Sequence, residues 1–274
     1  MEPKVSVIIP CYNQGQYLQE AVDSVLASTY ENIEIVIVND GSTEYLDVLE
    51  KFSAPKTILI NHENQGVSVA RNNGIKASSG KYILPLDSDD KIHPTYIEKA
   101  VKILEENEKI GIVYCRAEYF GAETGEWELK EYKFPNCLWE NWIFNSAMYR
   151  KSDWEKTNGY NSEMVYGYED WEFWLSLIEN GVEVYKINEI LFYYRRSEIS
   201  RSTSTWENRL FLYKKLIKLH PNLYSDNLEQ IILPLNNILR EFIPKKQSKE
   251  MYLFNLRKRL WDNLTVSLFI DRGM

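Results

Sequence analysis

A short acidic run, Asp87-Ser88-Asp89-Asp90, stands directly behind the stretch KYILPL. Two carboxylates two residues apart on an extended backbone point the same way. Left together they repel and raise each other's pKa. A hard divalent cation resolves the repulsion with oxygen ligands and leaves room for phosphate oxygens. The same residues also suit an N-cap cluster ahead of a helix or a solvated loop, and they lack the glycine and distal glutamate of an EF-hand loop. Three other places bear chemistry. Asp40, in Asn39-Asp40-Gly41-Ser42, can accept from a base N–H or from ribose hydroxyls, although Asp-Gly is also an ordinary turn. Arg71, in VARNNG, has a fork that binds a phosphate or a base edge, or pairs with a surface acid. Glu169-Asp170 opens an aromatic-rich helical segment. The helix dipole alone favours acids there, yet Tyr166, Tyr168 and Trp171 crowd them and can desolvate one carboxylate.

These residues need elements to position them. VSVIIPC (5–11), IEIVIVND (33–40), TILINH (57–62), KYILPLD (81–87) and GIVYCRAEYF (111–120) are apolar, β-branched runs of the kind found in strands buried on both faces. Between them lie helical patterns over 16–28, with Leu18, Val22, Val25 and Leu26 on one face, over 42–52 with Ser42 as cap, over 66–80 closed by Gly80, and over 94–107 opened by Pro94. Strand and helix in alternation predict an α/β fold: an open, Rossmann-like, mostly parallel sheet with helices on both faces. Ligands in such sheets bind beyond the carboxyl ends of the strands. Those ends read Cys11-Tyr12-Asn13, Asn39-Asp40-Gly41-Ser42, Asn61-His62-Glu63-Asn64 and Asp87-Ser88-Asp89-Asp90. Strand ends lead into polar loops in any protein, but four on one edge make a stronger case for a site. The second half is less regular: a helix over 168–180 with Trp171, Trp174, Leu175 and Ile178 on one face, two short strands (183–187, 190–196), and helical pattern from about 206.

Composition excludes several classes. With 274 residues, the chain is one large domain or one domain with an appendage. A formal charge of -8 argues against a general nucleic-acid binder. Cys11, Cys115 and Cys137 are too dispersed for a disulfide framework or a zinc site, which suggests a reducing cytosol. MEPKVSVIIP lacks the build of a signal peptide, and no apolar run approaches the ~20 residues of a membrane span. Residues 240–274 carry a local charge of +4 against -12 for the rest. Such a segment either packs as a terminal helix with its basic face in water or lies on an anionic membrane. A cytoplasmic protein is expected, at the inner face of the cell membrane if the tail binds lipid.

Taken in order, VSVIIPCYN, IEIVIVNDGSTE, NQGVSVARNNGI, KYILPLDSDD, GYEDWEFWLSLIENG and FYYRR resemble family 2 glycosyltransferases of the GT-A fold, over roughly residues 4–205. The resemblance implies a catalytic domain over 1–205, with a nucleotide-binding half (1–115) and an acceptor-side half (116–205), followed by a helical extension over 206–274. It implies an inverting bacterial enzyme that moves a hexosyl or N-acetylhexosaminyl group from a nucleotide-diphosphate sugar, by family habit a UDP-sugar. The acceptor would be a hydroxyl of a saccharide or lipid-linked saccharide, in polysaccharide or glycoconjugate synthesis.

Carried over by position, Pro10, Cys11, Tyr12 and Asn13 would line the nucleoside pocket, Asp40 would bind base or ribose, and Asn64, Gly66, Arg71 and Ser88 would complete the nucleotide wall. Asp89, with Asp87, would hold Mg²⁺ or Mn²⁺, and Asp87 would also contact ribose or metal-bound water. Asp170 matches the general base, with Glu169 beside it. Many relatives place a His shortly after the Tyr-Arg pair; this chain has Arg195-Arg196-Ser197, so Arg195 would take over neutralising the diphosphate. Trp171, Tyr168 and Trp139 would meet the acceptor, as could Trp142 and Tyr166, although aromatics in an aromatic-rich chain more often pack inside. A non-catalytic nucleotide-sugar binder and a nucleotidyltransferase are the alternatives. The latter fits less well, because PCYNQGQY lacks the glycines and basic residues of a triphosphate loop.

Overall fold

The computed structural model describes residues 2–52, 56–196 and 202–232. In chain order the elements are β1 (Val5–Cys11), α1 (Gly15–Leu26), β2 (Ile33–Asp40), α2 (Leu46–Leu49), β3 (Thr57–His62), α3 (Val67–Ala77), β4 (Tyr82–Pro85), β5 (Lys91–Ile92), α4 (Tyr96–Glu106), β6 (Ile110–Gly121), β7 (Gly125–Trp127), β8 (Met148–Arg150), α5 (Lys151–Trp154), α6 (Glu169–Glu179), β9 (Glu183–Arg196), α7 (Ser202–Leu219) and α8 (Pro221–Asp226). Among the described residues the strands form one sheet in the order β3-β2-β1-β4-β8-β6-β9-β5, with β7 hanging on β6.

β1 pairs in parallel with β2 on one side and β4 on the other. Both of its faces need cover, which is why all its residues are apolar or small and all are buried. β2 pairs in parallel with β3, so β1 to β4 end on one edge, as expected. β6 and β9 form the other long parallel pair, and antiparallel β8 joins the two blocks. Leu18, Ala21, Val22 and Val25 of α1 and Tyr96, Ile97, Ala100, Val101 and Leu104 of α4 cover the sheet at helical spacing.

Several local expectations are corrected. Leu26 is 57% exposed and lies off the apolar stripe of α1. Ser42 caps no helix. It is buried in the loop after β2, and α2 starts only at Leu46, behind Tyr45 at φ 58°. α3 stops at Ala77 with Ser78 as its cap, so Gly80 does not close it. α4 begins at Tyr96, and the Pro94 carbonyl instead accepts the Thr29 N–H at the end of α1. The two short strands expected over 183–196 are one strand, whose register jumps from Ile187 to Ile190; Asn188 and Glu189 form a bulge, not a break. The short strands β5, β7 and β8 carry too few residues to show a period.

The described residues divide into two compact units, one holding those between 2 and 132 and between 141 and 209, the other those of 133–140 and 210–232. α7 therefore runs across the boundary expected at 205/206, and β6 across the one expected at 115/116. Within the second unit, the Tyr213 and Tyr224 hydroxyls donate to the Trp139 and Leu138 carbonyls at 2.6 and 2.7 Å. Among the described residues no helix is long and apolar enough to cross a membrane. The basic segment 240–274 lies outside them.

Candidate active site

The polar groups at the ends of β1, β2 and β3 are largely engaged with one another. Asn13, at φ 51°, takes the Thr43 and Glu44 N–H groups on its Oδ1 at 2.8 and 3.2 Å, and its own N–H donates to Ser42 Oγ. Asn39 Oδ1 accepts the Ser42 N–H, and its Nδ2 donates to Asn61. Asp40 is 4% exposed; its two oxygens take the N–H groups of Gln65 and Gly66 at 2.8 and 3.0 Å. This carboxylate thus shapes the wall through the loop after β3. Gly41 allows the loops to close: its φ is 72°, and a Cβ there would sit 2.5 Å from the Asn64 nitrogen. Pro10 and Cys11 are buried in β1, and burial pushes the Cys11 thiol up, so neither side chain lines an open pocket. Tyr12, 41% exposed, and Asn64, also exposed, are the side chains this wall presents to a ligand.

The acidic run folds into a turn, with the Asp90 N–H on the Asp87 carbonyl. Ser88 is buried and its hydroxyl donates to Gln14 Oε1, so it is not available to a nucleotide. Gln14 Nε2 donates to Asp89 Oδ2 at 3.2 Å. Asp90 is 2% exposed; burial first, then the charges of Asp89 and Asp87, hold its pKa well above the usual carboxylate range. Arg195 was expected at the diphosphate. Instead it backs this turn: its Nε donates to the Asp89 carbonyl, and Glu20 takes its Nη2.

Arg71 is not a surface residue. It is 2% exposed on α3, and its fork spans two carboxylates, Nη2 to Asp87 Oδ1 at 2.8 Å and Nη1 to Glu169 Oε1 at 2.9 Å. Its guanidinium also lies 5.3 Å from the ring centroid of Tyr160. Burial works against its charge, but Asp87 and Glu169 more than offset that and raise its pKa. Asp170 follows Glu169 in the first turn of α6, which Tyr168 enters at φ 63°. Its oxygens take the Trp171 N–H at 2.7 Å and Asn141 Nδ2 at 3.2 Å. Burial, then the Glu169 charge, push its pKa up to about 7 against the pull of Arg71. One buried cation therefore ties the acidic turn at the end of β4 to Glu169, the neighbour of a carboxyl held near neutrality.

A sequence model of glycosyl transferase family 2 matches residues 6–171, which include all of these groups except Arg195. The chain belongs to glycosyltransferase family 2. Among its relatives in the family is TuaG of Bacillus subtilis, named a putative teichuronic acid biosynthesis glycosyltransferase, 30% identical over 80% of this chain and 90% of that one. YibD of Escherichia coli, an uncharacterised glycosyltransferase, is 38% identical, but the match takes in 45% of this chain and 36% of that protein; the chain spans about a third of that relative. Crystal structures of Staphylococcus aureus TarS 1–349 superpose with TM-scores of 0.64 (UDP complex, 21% identical) and 0.65 (UDP-GlcNAc complex, 18% identical), each over 79% of this chain and over 64% and 66% of those TarS 1–349 chains. The likeness is one of fold, and it makes the sheet described above a GT-A sheet.

The aromatic residues expected at the acceptor divide by burial. Trp171 is 2% exposed and Trp142 7%, so both are core rather than acceptor platforms. Tyr168 packs edge-on against Trp171 at 5.0 Å, while Tyr166 is 43% exposed. Trp139 belongs to the second compact unit. Three site residues carried no signal in the sequence. Asn145 donates to Asp87 Oδ1 at 3.2 Å, Asn141 donates to Asp170, and Gln14 braces Ser88 and Asp89. The asparagines sit in an aperiodic segment, and Gln14 stands in a loop notable by sequence only for the residues it lacks.

Proposed function

We propose that this chain transfers a sugar from a nucleotide-diphosphate donor, a UDP-sugar in the first instance, to an acceptor hydroxyl with inversion at the anomeric carbon, in cell-surface polysaccharide or glycoconjugate synthesis. The observation that carries the reading is the buried Arg71 bridge between Asp87 and Glu169. It sets a carboxylate pair suited to a cation and a carboxyl suited to proton transfer on a single rigid frame, which is what a displacement at a sugar–diphosphate bond requires. The UDP and UDP-GlcNAc complexes of TarS and the teichuronic acid role in the name of TuaG support the choice of donor and product class.

Asp87 and Asp89 offer hard oxygen donors only, the set that Mg²⁺ or Mn²⁺ takes. Among the described residues no three His, Cys, Asp or Glu side chains gather as a metal cage. Two carboxylates completed by phosphate oxygens and water suit a cation that arrives with its nucleotide. When bound, the ion supplies Lewis-acid stabilisation of the charge that develops on the departing diphosphate. Tyr12 flanks the base. Asp170 removes the acceptor hydroxyl proton from the face opposite the leaving group, a geometry that inverts the centre. Asn141 orients its carboxylate, and Glu169, held by Arg71, keeps its proton affinity high.

Wild-type protein incubated with a panel of UDP-sugars and Mn²⁺ is expected to release UDP only when the divalent ion is present, faster with a suitable saccharide acceptor. Binding of a nucleotide sugar with no turnover on any acceptor would reduce the protein to a binding module. Failure to bind any nucleotide sugar would remove the reading altogether.

A further inference from the structure

The end of β9 and the acidic turn hold each other. Asp90 Oδ1 accepts the Arg195 backbone N–H at 2.9 Å, and the Arg195 side chain folds back so that Nε donates to the Asp89 carbonyl at 2.8 Å. Its Nη2 pairs with Glu20 on α1. The guanidinium lies 4.5 Å from the ring centroid of Tyr17 on α1 and 4.3 Å from that of Phe120 on β6. The side chain is 14% exposed. Lys91 closes the far side, 2.7 Å from Glu20 and 4.1 Å from the Phe120 centroid. Two of the three guanidinium nitrogens, and the rings over its plane, are thus committed behind the turn.

We propose that Arg195 is a positioning residue. It fixes the Asp89 main chain so that the carboxylate stays aimed at the cation, without touching the nucleotide itself. The inference rests on the donor reading above and deepens it. The physical need is plain: Asp87, Asp89 and Asp90 repel one another within one turn, and each part of that turn is held from a different element. Arg71 on α3 holds the Asp87 side chain, Gln14 ahead of α1 holds the Asp89 side chain, and Arg195 on β9 holds the Asp89 carbonyl. A lysine can reproduce this role only in part, because a point ammonium lacks the planar fork that reaches the carbonyl and Glu20 while stacking on both rings.

The test is calorimetry with UDP, with and without Mn²⁺, on wild type, Arg195→Met, Arg195→Lys and Glu20→Ala, with thermal unfolding as the folding check. The readout is the gain in UDP affinity that Mn²⁺ confers. Loss of a charge-assisted bond at the Asp89 carbonyl predicts a gain reduced about tenfold or more in Arg195→Met, with metal-free affinity within about twofold of wild type. Arg195→Lys should recover part of the gain. Glu20→Ala frees one end of the fork and should lose a smaller part; because Glu20 is half exposed, this variant still decides the matter if Arg195→Met does not fold. A drop in metal-free affinity as large as the drop with Mn²⁺ would make Arg195 a direct diphosphate ligand and overturn the proposal. An unchanged gain in every variant would overturn it too. Wild type that binds no UDP with Mn²⁺ strikes down the donor reading, and this inference with it.

Discussion

Replacing Asp170 by asparagine should abolish turnover and, at alkaline pH, make the protein more stable. The carboxyl is held at about 7 against an ordinary 3.8, by burial first and then by the Glu169 charge. A folded-state pKa above the unfolded one means that protonation stabilises the fold. That contribution is full below 3.8 and is lost as pH rises through about 7. At about 1.4 kcal/mol per pH unit, the raised pKa costs the fold about 4 kcal/mol near pH 8, where the folded group is ionised, and about 2 kcal/mol near pH 5, where folding must take up a proton. A neutral carboxamide escapes that cost. It can still accept the Trp171 N–H, but it turns an amide nitrogen toward the Asn141 amide and gives up the attraction of Arg71. Setting about 1–3 kcal/mol against the gain for the mismatched donors leaves Asp170→Asn more stable by about 1–3 kcal/mol near pH 8, and little different near pH 5. Thermal unfolding of both proteins at the two pH values measures this, at roughly 2–4 °C per kcal/mol for a domain of this size. A variant less stable than wild type near pH 8, or a difference that does not change with pH, would refute the claim that the Asp170 carboxylate is held against its electrostatic preference.

The other predictions concern the same frame. Arg71→Met should cost about 1–3 kcal/mol in denaturant unfolding, because it leaves two partly exposed carboxylates without their shared cation; Arg71→Lys should recover only part of it, lacking the fork. The pH profile of kcat/KM should rise through about 7 on its acid limb as Asp170 ionises. Glu169→Gln removes a neighbouring negative charge and should move that limb to lower pH; a limb that moves upward contradicts the stated cause. Asp89→Ala should abolish the Mn²⁺-dependent part of UDP affinity in calorimetry, and an affinity that still responds to Mn²⁺ would place the cation elsewhere.

Much of the sheet could be read without coordinates. β1, most of β2 and the first half of β6 are continuous apolar runs because they are covered on both faces, and burial of that kind writes itself into local composition; β3, at the sheet edge, reads as apolar too, although Ile58 is 39% exposed. The carboxyl edge of β1–β4 was legible for the same reason, since parallel strands joined by helices must end together. Short pieces were not: β5 and β8 have two and three residues and owe their existence to long neighbours. Residue roles at the edge were legible only as residue types. Asp40, Ser88 and Asn13 looked like ligand groups and proved to satisfy backbone or side-chain partners in adjacent loops, as buried polar groups must. Trp171 shows the same limit, since an aromatic at a helix start reads alike whether it faces core or crevice.

By itself, then, the sequence determined the α/β alternation, the edge at which chemistry could gather, and the two acidic groups on it, because strand period, helix period and strand-end polarity are properties of neighbouring residues. Only the tertiary structure decided how those groups act on one another. Arg71 meets carboxylates 16 and 98 residues away, Asn145 reaches Asp87 across 58 residues, and Arg195 holds the Asp89 carbonyl across 106. Charge and hydrogen bonding act through space at a few ångströms, so the pKa of Asp170 and the aim of Asp89 exist only once the chain has closed those distances.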